Sequence, residues 1–149
     1  MLQKLLILVL FLSSFFVRSQ DLVWRTDIND AAVVSSEQRK PLFIFFTGQG
    51  VGQKFQNEIF ATREFENWSR KNVVLVKLDL SDPTVSENIK EQTLRLKNAF
   101  GVQQIPQVCI TEVYLRKGRT SFNKLGLISD NLGSIKSWID ACNSMLNQE

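Results

Sequence analysis

The 149-residue sequence contains no histidine and only two cysteines, Cys109 and Cys142. Without histidine, the chain has neither the imidazole of most acid–base catalysts nor the Ser–His and Cys–His pairs of nucleophilic enzymes. Two cysteines without histidine also cannot supply the four nitrogen and sulfur ligands of a structural zinc site. We therefore expect no metal centre and no other cofactor.

The remaining composition is that of an ordinary globular domain. Proline and glycine are scarce, at three and seven residues, while 44% of the residues are hydrophobic and 22% are charged. These proportions exclude a collagen-like chain, a disordered chain and a small disulfide scaffold.

The first nineteen residues have the pattern of a signal peptide. A short basic segment containing Lys4 precedes an apolar stretch from Leu5 to Val17, and small or aliphatic residues precede Ser19. The apolar stretch is shorter than the roughly 20 residues that a transmembrane helix needs. We predict cleavage after Ser19, export, and no membrane anchor in the mature form. The predicted organisation is a signal peptide over 1–19 and one domain over 20–149.

The net charge of +3 falls to +1 after this cleavage. Lys4 and Arg18 are removed, which leaves 16 basic residues against 15 acidic ones. A balance so close to zero gives no reason to expect nucleic acid or an anionic membrane as the partner.

Hydrophobic periodicity and turn residues predict alternating helices and strands in the mature chain. We expect Val33 on the buried side of the first helix, Leu94 on that of the third, and a break near Ala61–Thr62 in the second. The predicted helices cover 27–39, 53–68, 87–100 and 134–146, and the predicted strands cover 42–46, 73–80, 107–115 and 121–127.

The order of these elements and five sequence strings resemble secreted thioredoxin-like proteins. The strings are W-x-T-D at 24–27, KPLFIFFTG at 40–48, EIFATREF at 58–65, VKLD at 76–79 and FGVQQIPQV at 100–108. The resemblance implies an α/β thioredoxin-like fold, with a central mixed sheet flanked by helices and a cis-proline at Pro106 before a C-terminal β-hairpin. It also implies the periplasm as the compartment, with secretion as the alternative.

The sequence departs from this family at the active site. The family has a Cys-x-x-Cys motif at the start of the second helix, where the helix dipole lowers the pKa of the first thiol. Here the two positions hold Val51 and Lys54, or Gln49 and Gly52 in the alternative register. Since dithiol exchange needs two neighbouring sulfurs, we do not expect a thiol–disulfide oxidoreductase of that kind.

The family resemblance places the loop after the central strand beside Pro106. There the backbone on either side of the proline could pair with an extended segment of a partner protein, and Val51 or Phe55 could fill the space of the missing disulfide. We therefore predict a redox-inactive adaptor that binds a protein or peptide. Its candidate groove consists of Gln49, Gly50, Val51, Gly52, Gln53, Phe55, Ile105, Pro106 and Gln107.

Other interpretations of the sequence remain open. Cys109 lies three residues after Pro106 and could serve a weak single-thiol oxidoreductase. The apolar surroundings of Cys109 and Cys142 favour two buried core residues, although an oxidising compartment also permits a disulfide between them. A structural subunit of an envelope complex is a further possibility. Gly48-x-Gly50-x-Gly52 matches neither nucleotide-binding glycine pattern.

Overall fold

The computed structural model describes residues 21–131 and 133–148, so the predicted signal peptide lies outside the described residues. The elements alternate much as the sequence predicts. In chain order they are α1 (Ile28–Gln38), β1 (Leu42–Thr47), a π-helix (Phe55–Phe60), α2 (Arg63–Asn72), β2 (Val74–Asp79), α3 (Glu87–Ala99), β3 (Gln107–Arg116), β4 (Arg119–Ile128) and α4 (Ile135–Leu146).

The four strands form one mixed sheet in the order β2-β1-β3-β4. Strand β1 is parallel to β2 and antiparallel to β3, and β3 and β4 form the predicted hairpin. All six residues of β1 are buried, as expected for a central strand that helices cover on both faces. The predicted fold class, a mixed sheet flanked by helices, is confirmed.

The core has one layer on each face of the sheet. On one face, α1 and α3 pack over Ile44, Phe46 and Val76. On the other face, the π-helix, α2 and α4 pack over Phe43 and Phe45. This second layer is rich in aromatic side chains, with a continuous network of ring contacts among Trp24, Phe43, Phe45, Phe55, Phe60, Phe65, Trp68 and Trp138.

Two side chains that we expected on buried helix faces are exposed instead. Val33 is 47% exposed and Leu94 is 46% exposed. The buried position of α3 is Thr93, which lies one turn after Ile89 on the side that faces the sheet. Leu94 is rotated by about 100° from Thr93 around the helix axis, so it points away from the sheet despite its apolar character.

The predicted break near Ala61–Thr62 is confirmed and has a local cause. The Ala61 N–H donates to the Gln56 carbonyl at 3.0 Å, a bond that spans five residues as in a π-helix. The Thr62 hydroxyl then accepts from the Phe65 N–H at 3.2 Å and caps α2. Helix α2 continues to Asn72, four residues beyond the predicted end.

Within the described residues, no helix combines the length and the apolar composition that are needed to cross a bilayer.

Candidate functional site

The end of β1 brings the glycine loop against the segment that contains Pro106. Phe46 pairs with Gln107 across the sheet, and the Ile105–Pro106 peptide bond is cis. A methyl group on Gly48 would lie only 2.9 Å from Ile105 Cδ1. The loop and the Ile105–Gln107 segment therefore meet at one end of the sheet, as the sequence resemblance implies.

Most of the candidate groove residues lie at the surface of this junction. Gln49, Gly50 and Gln53 are exposed, and Val51 is 36% exposed. Ile105, Pro106 and Gln107 are partly buried. Polar side chains thus surround a short apolar surface, which Val51, Ile105 and Pro106 contribute.

Phe55 does not line this surface. Its side chain is fully buried in the aromatic layer, with ring centroids 5.2 Å from Phe45, 5.5 Å from Phe60 and 6.5 Å from Trp138. Phe55 therefore stabilises the fold beneath the loop and is not part of the groove surface, in contrast to the prediction from sequence. Gly52 is also buried.

Hydrogen bonds hold the loop in a defined turn. The Val51 N–H donates to the Gly48 carbonyl at 3.4 Å, and the Thr47 hydroxyl donates to the Val51 carbonyl at 3.2 Å. The next turn begins with a bond of 3.0 Å from the Gln56 N–H to the Gly52 carbonyl. These bonds use the backbone on the inner side of the loop and leave the Gln49 and Gln53 side chains in solvent.

The backbone of Ile105 remains available for a ligand. Among the described residues, neither its N–H nor its carbonyl makes a backbone hydrogen bond, and strand pairing begins only at Gln107. A donor and an acceptor on one residue, next to an open loop, can pair with an extended chain in the manner of a β-bridge.

We expect Gly52→Ala to lower the free energy of unfolding by about 2–4 kcal/mol, because two penalties combine at this position. Gly52 has φ +94°, where an L-residue costs about 1–2 kcal/mol, and the new methyl group would lie 2.8 Å from Thr47 Oγ1. Gly50→Ala is the matched control, since Gly50 has φ +72° but no atom within 4 Å of the added methyl. Urea unfolding measures both variants, and equal losses would contradict the close packing of Gly52.

The two cysteines lie on opposite faces of the sheet. Cys109 belongs to the layer under α1 and α3, whereas Cys142 on α4 belongs to the aromatic layer. Both are free and fully buried. The interpretation that Cys109 and Cys142 form a disulfide is therefore wrong, because the sheet separates the two side chains. Burial raises the pKa of each thiol from 9.0 to about 12.

One contributor to the site was absent from the residues predicted for the groove. Gly48 directly faces Ile105, and any larger side chain at this position would push the loop away from the Ile105–Pro106 segment. The Thr47-Gly48 pair was part of the sequence string that suggested the fold. A glycine directly after a buried strand is the signal that could have identified a close backbone approach.

Comparisons with known proteins bear on the fold. The sequence matches no protein-family model. The thioredoxin-related protein DsbJ of Chlamydia pneumoniae is 28% identical over 120 residues, which cover 78% of this chain and 33% of DsbJ. The chain thus spans about a third of the length of that relative.

Solved structures extend the likeness to nearly the whole fold. A DsbH oxidoreductase superposes with a TM-score of 0.70 over 90% of each chain, at 18% identity. A thioredoxin from Thermus thermophilus gives 0.62 at 9% identity, covering 84% of this chain and 87% of its own. The oxidised C-terminal domain of Neisseria meningitidis DsbD gives 0.53 at 11% identity, covering 82% and 98% respectively. Together with the sheet order and the helices on both faces, these likenesses show that the chain has a thioredoxin-like fold.

Proposed function

We propose that this protein binds extended polypeptide segments between the loop 47–52 and Ile105, and that it does so without thiol–disulfide exchange. The observation that carries the proposal is the unpaired Ile105 backbone beside a loop that contains no sulfur. Export through the predicted signal peptide would bring this groove to partners outside the cytoplasm, and a mature N-terminus at Gln20 is the expected processing product.

The binding mode is set by the groups at the groove. The Ile105 N–H and carbonyl would pair with the backbone of the bound segment, which supplies affinity for any sequence. Val51 would contact an apolar side chain of that segment, and the amides of Gln49 and Gln53 would bond its polar groups. Such a site selects for extended conformation more than for a particular sequence.

The loop residues also determine the fate of the bound polypeptide. In both possible registers the positions of the family thiols hold side chains without a nucleophilic sulfur: Val51 and Lys54, or Gln49 and Gly52. No mixed disulfide can form there, so the bound polypeptide would leave unchanged. This property suits an adaptor that retains or delivers a partner.

An NMR titration tests the proposal with an unfolded probe that cannot undergo thiol exchange. The probe is a reduced and carbamidomethylated polypeptide, and the readout is the set of backbone amide signals of the folded protein. We expect saturable shifts at Val51, Ile105 and Gln107. Ile105→Asp should weaken binding at least tenfold, because a carboxylate would occupy the apolar part of the groove.

Leu94→Asp is the matched control, since it places the same carboxylate on an exposed aliphatic position of α3. It should leave the affinity within twofold of the wild-type value. Saturable shifts confined to another face, or equal binding by the Ile105→Asp and wild-type proteins, would contradict the proposed groove.

Disulfide handling through Cys109 is the second candidate, and the similarity to the DsbJ, DsbH and DsbD proteins favours it. A Cys109 thiolate would attack a partner disulfide, form a mixed disulfide and release one partner thiolate. The burial and raised pKa of Cys109 weigh against this reaction in the folded protein. Trapping a mixed disulfide at Cys109 under native conditions would favour it over the binding role.

A further inference from the structure

The β3–β4 hairpin extends well past the rest of the sheet. Strand β1 pairs with β3 only from Gln107 to Thr111, whereas β3 and β4 remain paired as far as Arg116 and Arg119. We call residues 112–123 the hairpin overhang. Along the overhang, β3 has β4 on one side and no strand of the described residues on the other, so part of its backbone is an open strand edge.

A notch lies at this open edge. It has a volume of about 300 Å³ and separates the C-terminal end of α1 from the overhang. Arg39, Lys40 and Pro41 line one side, and 112–114 line the other. Pro41 directly precedes β1. A strand bound in the notch would therefore lie beside β3 in line with β1, along the part of β3 that β1 does not reach.

The hairpin overhang carries more cations than carboxylates. The overhang contains Arg116, Lys117 and Arg119 against the single carboxylate of Glu112, whereas the Lys124 ammonium group donates to the Phe100 carbonyl at 2.9 Å. That carboxylate already accepts hydrogen bonds of 2.9 Å from the Tyr114 hydroxyl and from the Asn123 amide.

On the α1 side of the notch, Arg39 is the exposed cation, and Glu37 is an exposed carboxylate on the last turn of α1. The Lys40 ammonium group instead donates to the Arg70 carbonyl at 2.7 Å. Arg39 and the three cations of the overhang therefore favour an acidic ligand.

The overhang also exposes apolar surface. Tyr114 is 45% exposed and Leu115 is 40% exposed, although both belong to a regular strand. Successive residues of a strand point to opposite faces, so one apolar side chain is available on each face of the overhang. A bound strand could therefore bury an apolar side chain on either face.

We propose that an extended acidic segment of a partner protein adds as a strand to the open edge of β3 in the hairpin overhang. The open backbone would supply main-chain hydrogen bonds, Tyr114 and Leu115 would supply apolar contact, and Arg39 and Arg116 would supply charge complementarity. This surface is separate from the groove at Ile105, because Gln107 and Glu112 lie about 17 Å apart along β3.

A synthetic strand-forming peptide with alternating glutamate and valine residues tests the proposal on the wild-type protein. We expect saturable binding, with amide shifts at 112–116 and at Arg39, and an affinity that falls at least fivefold between 50 and 300 mM salt. A peptide with lysine in place of glutamate should not bind. A copy of the acidic peptide with alternate backbone nitrogens methylated should bind at least tenfold more weakly.

Charge-reversal variants test whether the cations at the notch are needed for binding. Arg39→Glu/Arg116→Glu should weaken binding of the acidic peptide at least tenfold, while Arg63→Glu/Lys71→Glu, at exposed positions on α2, should change it less than threefold. Circular dichroism checks that each variant is folded, and the three peptides test the proposal even if a variant is not.

Several outcomes would overturn the proposal. The first is that the acidic peptide shows no saturable binding. The second is that the methylated peptide binds as tightly as the unmethylated one. The third is that amide shifts are confined to the outer edge of β4. Shifts at 112–116 that grow with protein concentration in the absence of peptide would identify a second copy of this chain as the occupant instead. Failure of the carbamidomethylated polypeptide to bind at Ile105 would count against the groove beside Pro106 and not against the hairpin overhang.

Discussion

Cys109 and Cys142 are expected to react with a thiol reagent at least a thousandfold more slowly in the folded protein than in the unfolded one. Both side chains are fully buried, and burial raises the pKa of each thiol from 9.0 to about 12. Only the thiolate is nucleophilic, so a rise of three pKa units lowers its population near neutral pH by roughly a thousandfold. Restricted access of the reagent slows the reaction further.

The release of thionitrobenzoate from Ellman's reagent at pH 8 measures this difference, with and without guanidinium chloride. Cys109→Ala and Cys142→Ala proteins assign each phase to one thiol. Prompt reaction of Cys109 in the native protein would contradict its burial and would revive the single-thiol oxidoreductase. Slow reaction of both thiols agrees with a function that uses no sulfur chemistry.

Phe43→Ala is expected to lower the free energy of unfolding by about 3–5 kcal/mol. Phe43 is fully buried at the centre of the aromatic layer. Removal of its ring would leave a cavity on the face of β1 that the π-helix, α2 and α4 cover. Five rings surround it with centroids 5.5 to 6.2 Å away: Trp24, Phe60, Phe65, Trp68 and Trp138. A loss of this size is a large part of the 5–15 kcal/mol that stabilises a typical domain.

Urea unfolding followed by tryptophan fluorescence measures the loss. Leu94→Ala serves as the control, since Leu94 is 46% exposed and substitutions at such positions change stability by about 0.5 kcal/mol or less. If the Phe43→Ala protein were as stable as the Leu94→Ala protein, the aromatic layer would not be the principal core on that face.

The sequence predicted the fold well because its strongest signals are local. The continuous apolar run at 42–46 has the length and composition typical of a strand that is buried on both faces. Lys117-Gly118 sets the turn of the hairpin, and the Ser134 N-cap marks the start of the last helix. The helix faces were less predictable, since Leu94 is exposed while the polar Thr93 is buried.

The features that the sequence could not predict depend on the packing of elements that are distant in the chain. The side of the sheet on which Cys109 and Cys142 lie depends on strand register and helix placement, and nothing within either local segment indicates it. The hairpin overhang also depends on the pairing of strands that are distant in the chain. It exists because β1 begins opposite Thr111, whereas the hairpin sequence alone does not show where a neighbouring strand stops.

The groove was predictable only in part. The family resemblance indicated that the glycine loop and Pro106 meet, and the structure places them together. Phe55 was predicted in the groove, but it is the first residue of the π-helix and its side chain is buried against Phe45 and Phe60. Helical periodicity alone does not distinguish a π-helical turn from an α-helical one.

The affinity of a cysteine-free protein for the carbamidomethylated polypeptide tests thiol-independent binding most directly. We expect the Cys109→Ala/Cys142→Ala protein to bind within twofold of the wild type, and the further substitution Ile105→Asp to weaken binding at least tenfold. Binding that disappears with the cysteines, or that persists unchanged in the Ile105→Asp protein, would contradict a thiol-independent groove beside Pro106.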